Sequence, residues 1–474
     1  MVGRTGRTNG RRVGRTVSDL ASSDRRAFLT ATAAAETTAA DAPVPGGTPP
    51  VPPAPGGAPA RPADGTEAAP HADRELRELL EEVDPGRIED TVRRLAAFGA
   101  RHTLSSQTDP EHGIGAARDW VHARMKECAR VSGGRMSVRL QSWIQEPDSL
   151  VPTPTRITNV LTTLRGTSAP NRVYVVSGHY DSRACGAAAA DGDGPRADDD
   201  ASGVAVVMEL ARVLAARRTA ATVVLAAVAG EAHGLYGASH LAGELKAAGM
   251  DVQGVFAVDA VGGGAAGEAG AAEDGGAAED GARAPRAVRL YAQGAPAGGK
   301  DDSPSCRLAR SVRDAAGDTA EVDVRVVHGD DRDRWAGDHV PFLERGWPAV
   351  RFAEPGGDAR RPCDVDHTAR VARVTAAALW TLAQAPGAPA GVQVRTDELG
   401  ASAELRWRRG TESGLAGYEV VWRGAAEPEW THVVQAGDTV QHTVGLSGDD
   451  VFFGVRAVGR NGLRSPVALP ARPR

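Results

Sequence analysis

Ser177-Gly-His-Tyr-Asp-Ser182 closes the apolar run that begins at Arg172, and Ala197-Asp-Asp-Asp-Ala-Ser-Gly203 follows it. From Gly203 to Ala215 the pattern changes to helical spacing, with Val206, Val207, Leu210 and Leu214 on one face. A strand that ends in a histidine and aspartates and then hands over to an amphipathic helix is one unit of an α/β sheet. Two more apolar runs end in the same way. Glu231 follows Thr222 to Ala229 and Gly230, and Asp259 follows Val255 to Val258. In open α/β sheets ligands gather beyond the carboxyl ends of strands. His179, Glu231 and Asp259 are therefore expected to face one crevice. Imidazole and carboxylate together suit zinc, whose catalytic sites take about three protein ligands and keep one position open.

Outward from this centre, helical spacing covers Arg74 to Val83, Ile88 to Phe98 and Ile114 to Met125, and strand-like segments cover Ser137 to Trp143, Thr158 to Arg165 and Arg172 to Ser177. The expected fold is α/β: a twisted, mostly parallel central sheet flanked by helices over residues 73–385. Residues 262–285, built of Ala, Gly, Glu and Asp, read as a low-complexity surface loop. Beyond Pro389 short alternating segments take over, at Val392 to Arg395, Ala403 to Trp407, Tyr418 to Trp422, His432 to Val434, Gln441 to Val444 and Val451 to Val458. Residues 388–474 are expected to form an all-β sandwich.

The chain has 474 residues, 41% of them hydrophobic, enough for more than one core. A formal net charge of −6 argues against nucleic acid or an anionic membrane as the main partner. Lysine occurs only at Lys126, Lys246 and Lys300, so the basic charge is nearly all arginine. Cys128, Cys185, Cys306 and Cys363 are too scattered for a disulfide scaffold, though export would permit a bridge. No apolar run reaches the roughly 18 residues of a membrane span. Near the start, Asp24-Arg25-Arg26-Ala27-Phe28-Leu29-Thr30 precedes a short Ala-rich run. Residues 1–36 are read as a twin-arginine export signal, implying a secreted or cell-envelope protein, with an Arg-rich disordered leader in the cytoplasm as the alternative. Residues 37–72, rich in Pro, Gly and Ala, read as a flexible tether.

In order, His179-x-Asp181, Asp198-Asp-Asp-Ala-Ser-Gly203, Gly230-Glu-x-x-Gly-Leu-Tyr-Gly237, Val258-Asp259 and Gly337-Asp-His339 resemble the zinc exopeptidases, the family of bacterial leucyl and aminoacyl aminopeptidases and of glutamate carboxypeptidase. The β segment after Pro389 resembles a fibronectin type III module. The resemblance implies hydrolysis of terminal peptide bonds, with peptide or small-protein termini as substrates. It makes Asp199 a metal-bridging carboxylate, His179 and Asp259 its partners on one zinc, and Asp181 the group that hydrogen-bonds the His179 ring. Glu231 becomes the general base. Asp198 and Asp200 are left to cap the following helix. His339 is open between holding substrate or an oxyanion and a buried, hydrogen-bonded structural role.

Two ligand positions of the family pattern are not filled. Glu231 is followed by Ala232 and His233 instead of a second acidic residue, and Gly356 to Cys363 is shortened where a late histidine belongs. Both missing ligands serve the same metal in the family. One zinc through His179, Asp199 and Asp259 is therefore expected, with the second site doubtful. A one-residue shift turns a helical side chain by about 100°, so His233 is expected to point elsewhere. Cys363 and His367 remain candidate substitutes. The competing reading is a metal-impaired member that binds peptides or a partner without turnover. Cyclisation of N-terminal glutamine fares worse, because that chemistry relies on the same unfilled positions.

Overall fold

The computed structural model of the protein describes residues 69–182, 199–263, 287–293, 303–317, 322–329, 337–354, 363–396, 402–425, 427, 429–446 and 451–470. The expected leader, nearly all of the tether and of the low-complexity loop, Cys185 and Asp198 lie outside them. The chain divides into two units, residues 1–64 with 243–249 and residues 65–242 with 250–474; apart from the last residues of helix Tyr236–Ala247, everything below belongs to the second.

Helices α1 (Ala69–Glu81), α2 (Pro85–Ala97) and α3 (Gly113–Arg130) come first. Asp84 caps α2 by accepting from Gly86 N, with Pro85 at the first helical position, where its missing N–H costs nothing. Strands β1 (Met136–Gln145), β2 (Thr155–Leu164) and β3 (Ala169–His179) lead to α4 (Ala201–Ala215), β4 (Ala221–Val228), α5 (Tyr236–Ala247) and β5 (Asp251–Val258). Then come β6 (Val288–Gln293), α6 (Pro304–Gly317), β7 (Val324–Gly329), α7 (Val340–Leu343), β8 (Ala349–Phe352) and α8 (Val365–Gln384).

The eight strands form one sheet in the order β1-β2-β4-β3-β5-β8-β6-β7. Its centre is parallel: β3 pairs with β4 and with β5, and β5 with β8. Antiparallel β1 and β2 extend one side, and an antiparallel β6 on β8 turns the other. Every residue of β4 is buried, as a strand covered on both faces requires. Helix α4 packs against β3, β4 and β5, and against α2, α3 and α8, so its burial is nearly complete. This helix can approach the sheet because glycines meet there. A Cβ on Gly178 would lie 2.7 Å from Gly203 C, and one on Gly203 would lie 2.1 Å from Val258 O.

After α8, β9 (Ala390–Thr396), β10 (Ala403–Arg408), β11 (Leu415–Gly424), β12 (His432–Gly437), β13 (Gln441–Val444) and β14 (Val451–Gly459) form two three-stranded antiparallel sheets, β13-β10-β9 and β12-β11-β14. Val392, Leu405, Trp407, Tyr418, Val420 and Val455 fill the space between them. The joint with the α/β part is polar and specific. Arg172, 5% exposed in its side chain, reaches Glu412 at 2.7 Å and donates to Ala385 O at 2.6 Å, while Gly387 N donates to the second Glu412 oxygen at 2.9 Å.

Among the described residues no disulfide joins Cys128, Cys306 and Cys363. No described helix is long and apolar enough to cross a membrane.

Candidate metal centre

The ends of β3, β4 and β5 lie side by side because those strands are neighbours in register, Ser177 opposite Ala226 and Ala257. What fixes their loops is Asp200. Its carboxylate caps α4 by accepting from Gly203 N at 2.8 Å, takes the His179 N–H at 3.0 Å, and takes the Ala260 N–H at 3.0 Å. Ser202 Oγ adds a bond from Val261 N at 3.0 Å. One capped helix start thus pins the two backbone positions that carry His179 and Asp259. Ala260 is held at φ 53°, a left-handed conformation that a non-glycine residue adopts only under surrounding constraint. The peptide joining Asp199 to Asp200 is cis.

His179 is 1% exposed, and among the described residues its Nε2 has no hydrogen-bond partner. That atom lies 3.3 Å from Asp199 Oδ1, 3.6 Å from Asp259 Oδ1 and 3.8 Å from Glu231 Oε2. Two ligands each held about 2.0–2.2 Å from a tetrahedral zinc stand about 3.3–3.6 Å apart. An orphaned, buried imidazole nitrogen at this spacing from carboxylate oxygens fits a zinc ion. The donors that all lie within 4.8 Å of one another are those of His179, Glu231 and Asp259. Glu231 Oε2 stands farther from His179 Nε2 than either aspartate oxygen, and Asp199, with a side chain 36% exposed, sits at the rim.

The surrounding charges explain the protonation of each group. Burial alone would depress His179, but Glu231, Asp181, Asp199 and Asp259 overcome it and raise its pKa well above the usual value. Burial, together with the charges of Asp259, Asp181 and Asp199, raises Glu231 despite the opposing pull of His179. For Asp259 burial is outweighed by the Arg351 guanidinium, 2.9 Å from Oδ2, and by His179, so its carboxyl is held well below the usual range. Burial raises Asp338 well above the carboxylate range, helped by Glu231 and Asp259 and opposed by His179. Burial and Arg351 push His339 down to about 3, so its ring is neutral.

Several expectations need correction. The His179 ring is oriented by a backbone carbonyl, Nδ1 standing 3.0 Å from Asp181 O, while the Asp181 carboxylate is 3.6 Å away. That carboxylate instead accepts from Glu231 N and Ala232 N, each at 3.3 Å, and so shapes the turn after β4. His339 is wholly buried, and among the described residues neither of its ring nitrogens has a hydrogen-bond partner. His367 Nε2 is spent on Glu354 at 2.9 Å and Cys363 Sγ faces Thr368 Oγ1 at 3.4 Å, so neither stands in for the missing ligands. His233 does turn away from the metal donors, its Nδ1 3.1 Å from Thr103 Oγ1 and its ring edge-on to His102. Asp200 takes the capping role given to it.

Two cations escaped the sequence reading. Arg351 steadies Asp259. Arg101 is fully buried behind the site, donating to Tyr180 O at 2.9 Å and Leu95 O at 2.8 Å. Burial lowers its pKa to about 10 against the pull of Asp181, Asp200 and Asp199.

Residues 159–380 match peptidase family M28. The chain is 41% identical over 433 residues to a probable zinc metalloprotease of Leptosphaeria maculans, covering 85% of this chain and 98% of that one. It is also 41% identical over 438 residues to a probable zinc metalloprotease of Pyricularia oryzae, covering 84% of each. Among solved structures, an aminopeptidase from Aneurinibacillus sp. strain AM-1 superposes with a TM-score of 0.45 at 14% identity, over 66% of this chain and 96% of that one.

Proposed function

Because this chain belongs to peptidase family M28, we propose that it is a zinc exopeptidase that holds a single ion and removes residues from the amino end of peptides. The observation that carries the reading is the orphaned His179 Nε2, ringed by carboxylate oxygens at 3.3, 3.6 and 3.8 Å. His179, Asp259 and Asp199 would hold the ion. When bound, zinc supplies Lewis-acid polarisation of a carbonyl and lowers the pKa of water.

The chain's own residues supply the rest. Glu231 Oε2 takes a proton from the attacking water and returns it to the departing amine, a task suited to a carboxylate whose pKa burial has raised. The bond from Ala232 N to Asp181 and the bond from Glu231 N to the same carboxylate keep that side chain facing the His179 ring. Arg351 keeps Asp259 ionised and occupies its Oδ2, leaving Oδ1 toward His179. Burial of these groups excludes bulk water and strengthens each charge interaction.

A second reading has its own observation. Ala232 offers no ligand, and among the described residues no second group of three candidate ligands exists. That favours a family member that binds peptides without cleaving them. Hydrolysis of aminoacyl-anilides with added zinc, measured for the parent protein and Glu231→Gln, separates the two: equal background rates leave only binding. Elemental analysis should give about one zinc per folded chain, and a content near two overturns the single-site reading.

The sandwich is proposed to be a fibronectin type III-like module that docks the enzyme or positions substrate. Residues 1–36 are proposed to direct export, which cell fractionation would test.

A further inference from the structure

Between the end of β4 and the first turn of α5 the chain leaves the sheet, presents Glu231 and returns. Gly230 and Gly234 sit there at φ 79° and 125°, and Leu235 at φ 58°, a left-handed conformation that a residue with a Cβ rarely adopts. Such a loop keeps its shape only where its surroundings fix it. Asp181 does so from the β3 side, accepting from Glu231 N and Ala232 N, each at 3.3 Å. The β2 side belongs to Asn159.

Asn159 is 0% exposed and stands beside Val160, whose partner across the β2–β4 ladder is Ala227. That pair is the last at this end of the ladder, and the Asn159 side chain takes over from it. Its Oδ1 accepts from Ala229 N at 3.1 Å, and its Nδ2 donates to Gly237 O at 2.9 Å. Gln141 lies directly opposite on β1, 4% exposed, and its Oε1 accepts a second bond from Nδ2 at 2.7 Å. One N–H on one side and two carbonyl oxygens on the other leave the amide a single orientation. Ala229 and Gly237 are the two stems of the loop, and they touch. A Cβ on Gly237 would lie 2.5 Å from Ala229 O and 2.5 Å from Asn159 Oδ1. One primary amide thus closes the neck, accepting from the strand and donating to the helix. A carboxylate lacks the donor, and an alkyl group lacks both.

We propose that Asn159 is a positioning residue: by closing the neck between Ala229 and Gly237 it sets where the Glu231 carboxylate stands for proton transfer. This role rests on the reading of Glu231 as the general base. The metal donors do not share the tie, because His179 and Asp259 hang on Asp200 and Ser202. Loosening the neck should slow the chemical step and leave metal and substrate binding alone.

The test uses the full-length, zinc-loaded protein with Asn159→Asp, which keeps the shape and the acceptor and removes the donor. Anilide turnover should show kcat lowered by about tenfold or more, since a misplacement of about 1 Å costs about 100-fold, with KM within about twofold of the parent. Zinc content should not change. In Glu231→Gln the same substitution should alter the residual rate by less than about twofold, because a residue that acts through Glu231 then has nothing to act on. A second readout needs no turnover: amide hydrogen exchange over residues 230–236 should quicken by about tenfold or more while the β5 amides keep the parent's rates. A loss confined to KM, a fall in zinc content, an equal fractional loss with and without Glu231, or unaltered exchange over 230–236 overturns the proposal. Should Asn159→Asp not fold, Gly237→Ala, which pries the same neck open from the helix side, should give the same pattern and decides. A parent without turnover removes the peptidase reading and this role with it; an active parent with unaltered kcat or exchange removes the proposal alone.

Discussion

Gly203→Ala is the sharpest probe of how the fold builds the site, because local and tertiary effects predict opposite signs. Gly203 lies in the first turn of α4, where alanine should stabilise a helix by about 1 kcal/mol. The tertiary surroundings forbid the methyl. It would stand 2.1 Å from Val258 O and 2.4 and 2.5 Å from the two Asp200 oxygens. A strand carbonyl and a carboxylate locked by three backbone N–H groups leave little room to yield. Overpacking of this kind costs about 1–3 kcal/mol, and the shortness of these contacts places it near the upper end. The net loss is then about 2 kcal/mol, a fall in melting temperature of about 3 °C for a domain of this size. Because Val258 precedes Asp259, the same displacement moves a metal donor. A shift of about 1 Å in such a group lowers turnover by about 100-fold. Thermal melts of metal-free protein and zinc titration check both effects. Gly414→Ala, whose Cβ would meet nothing within 4 Å, is the control and should melt within about 1 °C of the parent. A Gly203→Ala protein that melts at or above the parent and binds zinc equally well would refute the interlock of α4 with β5.

Glu231→Gln should lower anilide turnover by about 10²–10⁴-fold with little change in zinc affinity, whereas Asp199→Asn should weaken zinc by about tenfold or more; the reverse pattern, read by competition with a chelating dye, would exchange their roles. The raised pKa of His179 fixes a pH signature. Its stabilising charge in the metal-free protein is fully present below the unfolded value near 6.5 and is lost as pH rises through the folded value, so the metal-free melting temperature should fall across that window. Zinc must displace that proton, so apparent zinc affinity should weaken about tenfold per pH unit below the folded pKa, as a pH series of titrations would show. Glu412→Ala strands Arg172 at the joint with the β-sandwich and should cost about 2 kcal/mol in chemical denaturation, less than a fully buried pair because Glu412 is 27% exposed in its side chain.

The strand ends that carry the site were legible because a buried parallel strand leaves an unbroken apolar run and its polar terminus stands out. Arg172 to Ser177, Thr222 to Ala229 and Val255 to Val258 all fall on β3, β4 and β5 with small shifts of boundary. The alternation after Pro389 likewise marked β9 to β14. Asp200 could be read as a cap from Asp-Ala-Ser-Gly alone, but not as the tie between β3 and β5, since its bonds to His179 N and Ala260 N span 21 and 60 residues. Arg101 and Arg351 were illegible for a related reason. In a chain whose basic residues are nearly all arginine no single one is marked, and their partners are backbone carbonyls or a distant Asp259. The ring contact of His179 failed at a finer scale, because sequence shows that an aspartate is near without showing whether its carboxylate or its carbonyl turns inward.

Ala232→Glu tests whether the frame of the site and its metal count are independent. The main chain at this position already does its part, since Ala232 N donates to Asp181 Oδ2 whatever side chain follows. Nothing that pins His179 or Asp259 passes through the Ala232 methyl: those residues hang on Asp200 and Ser202. Restoring a carboxylate should therefore leave the fold and the first zinc intact. It should not recruit a second ion, because His367 is held by Glu354, Cys363 faces Thr368, and His233 is drawn to Thr103. What it adds is one more negative charge beside Glu231, whose pKa is already raised by burial and by three carboxylates. The expected result is a zinc content still near one and an acidic limb of the pH–rate profile displaced toward higher pH. A zinc content of two in Ala232→Glu would show that a single carboxylate was all the second site lacked.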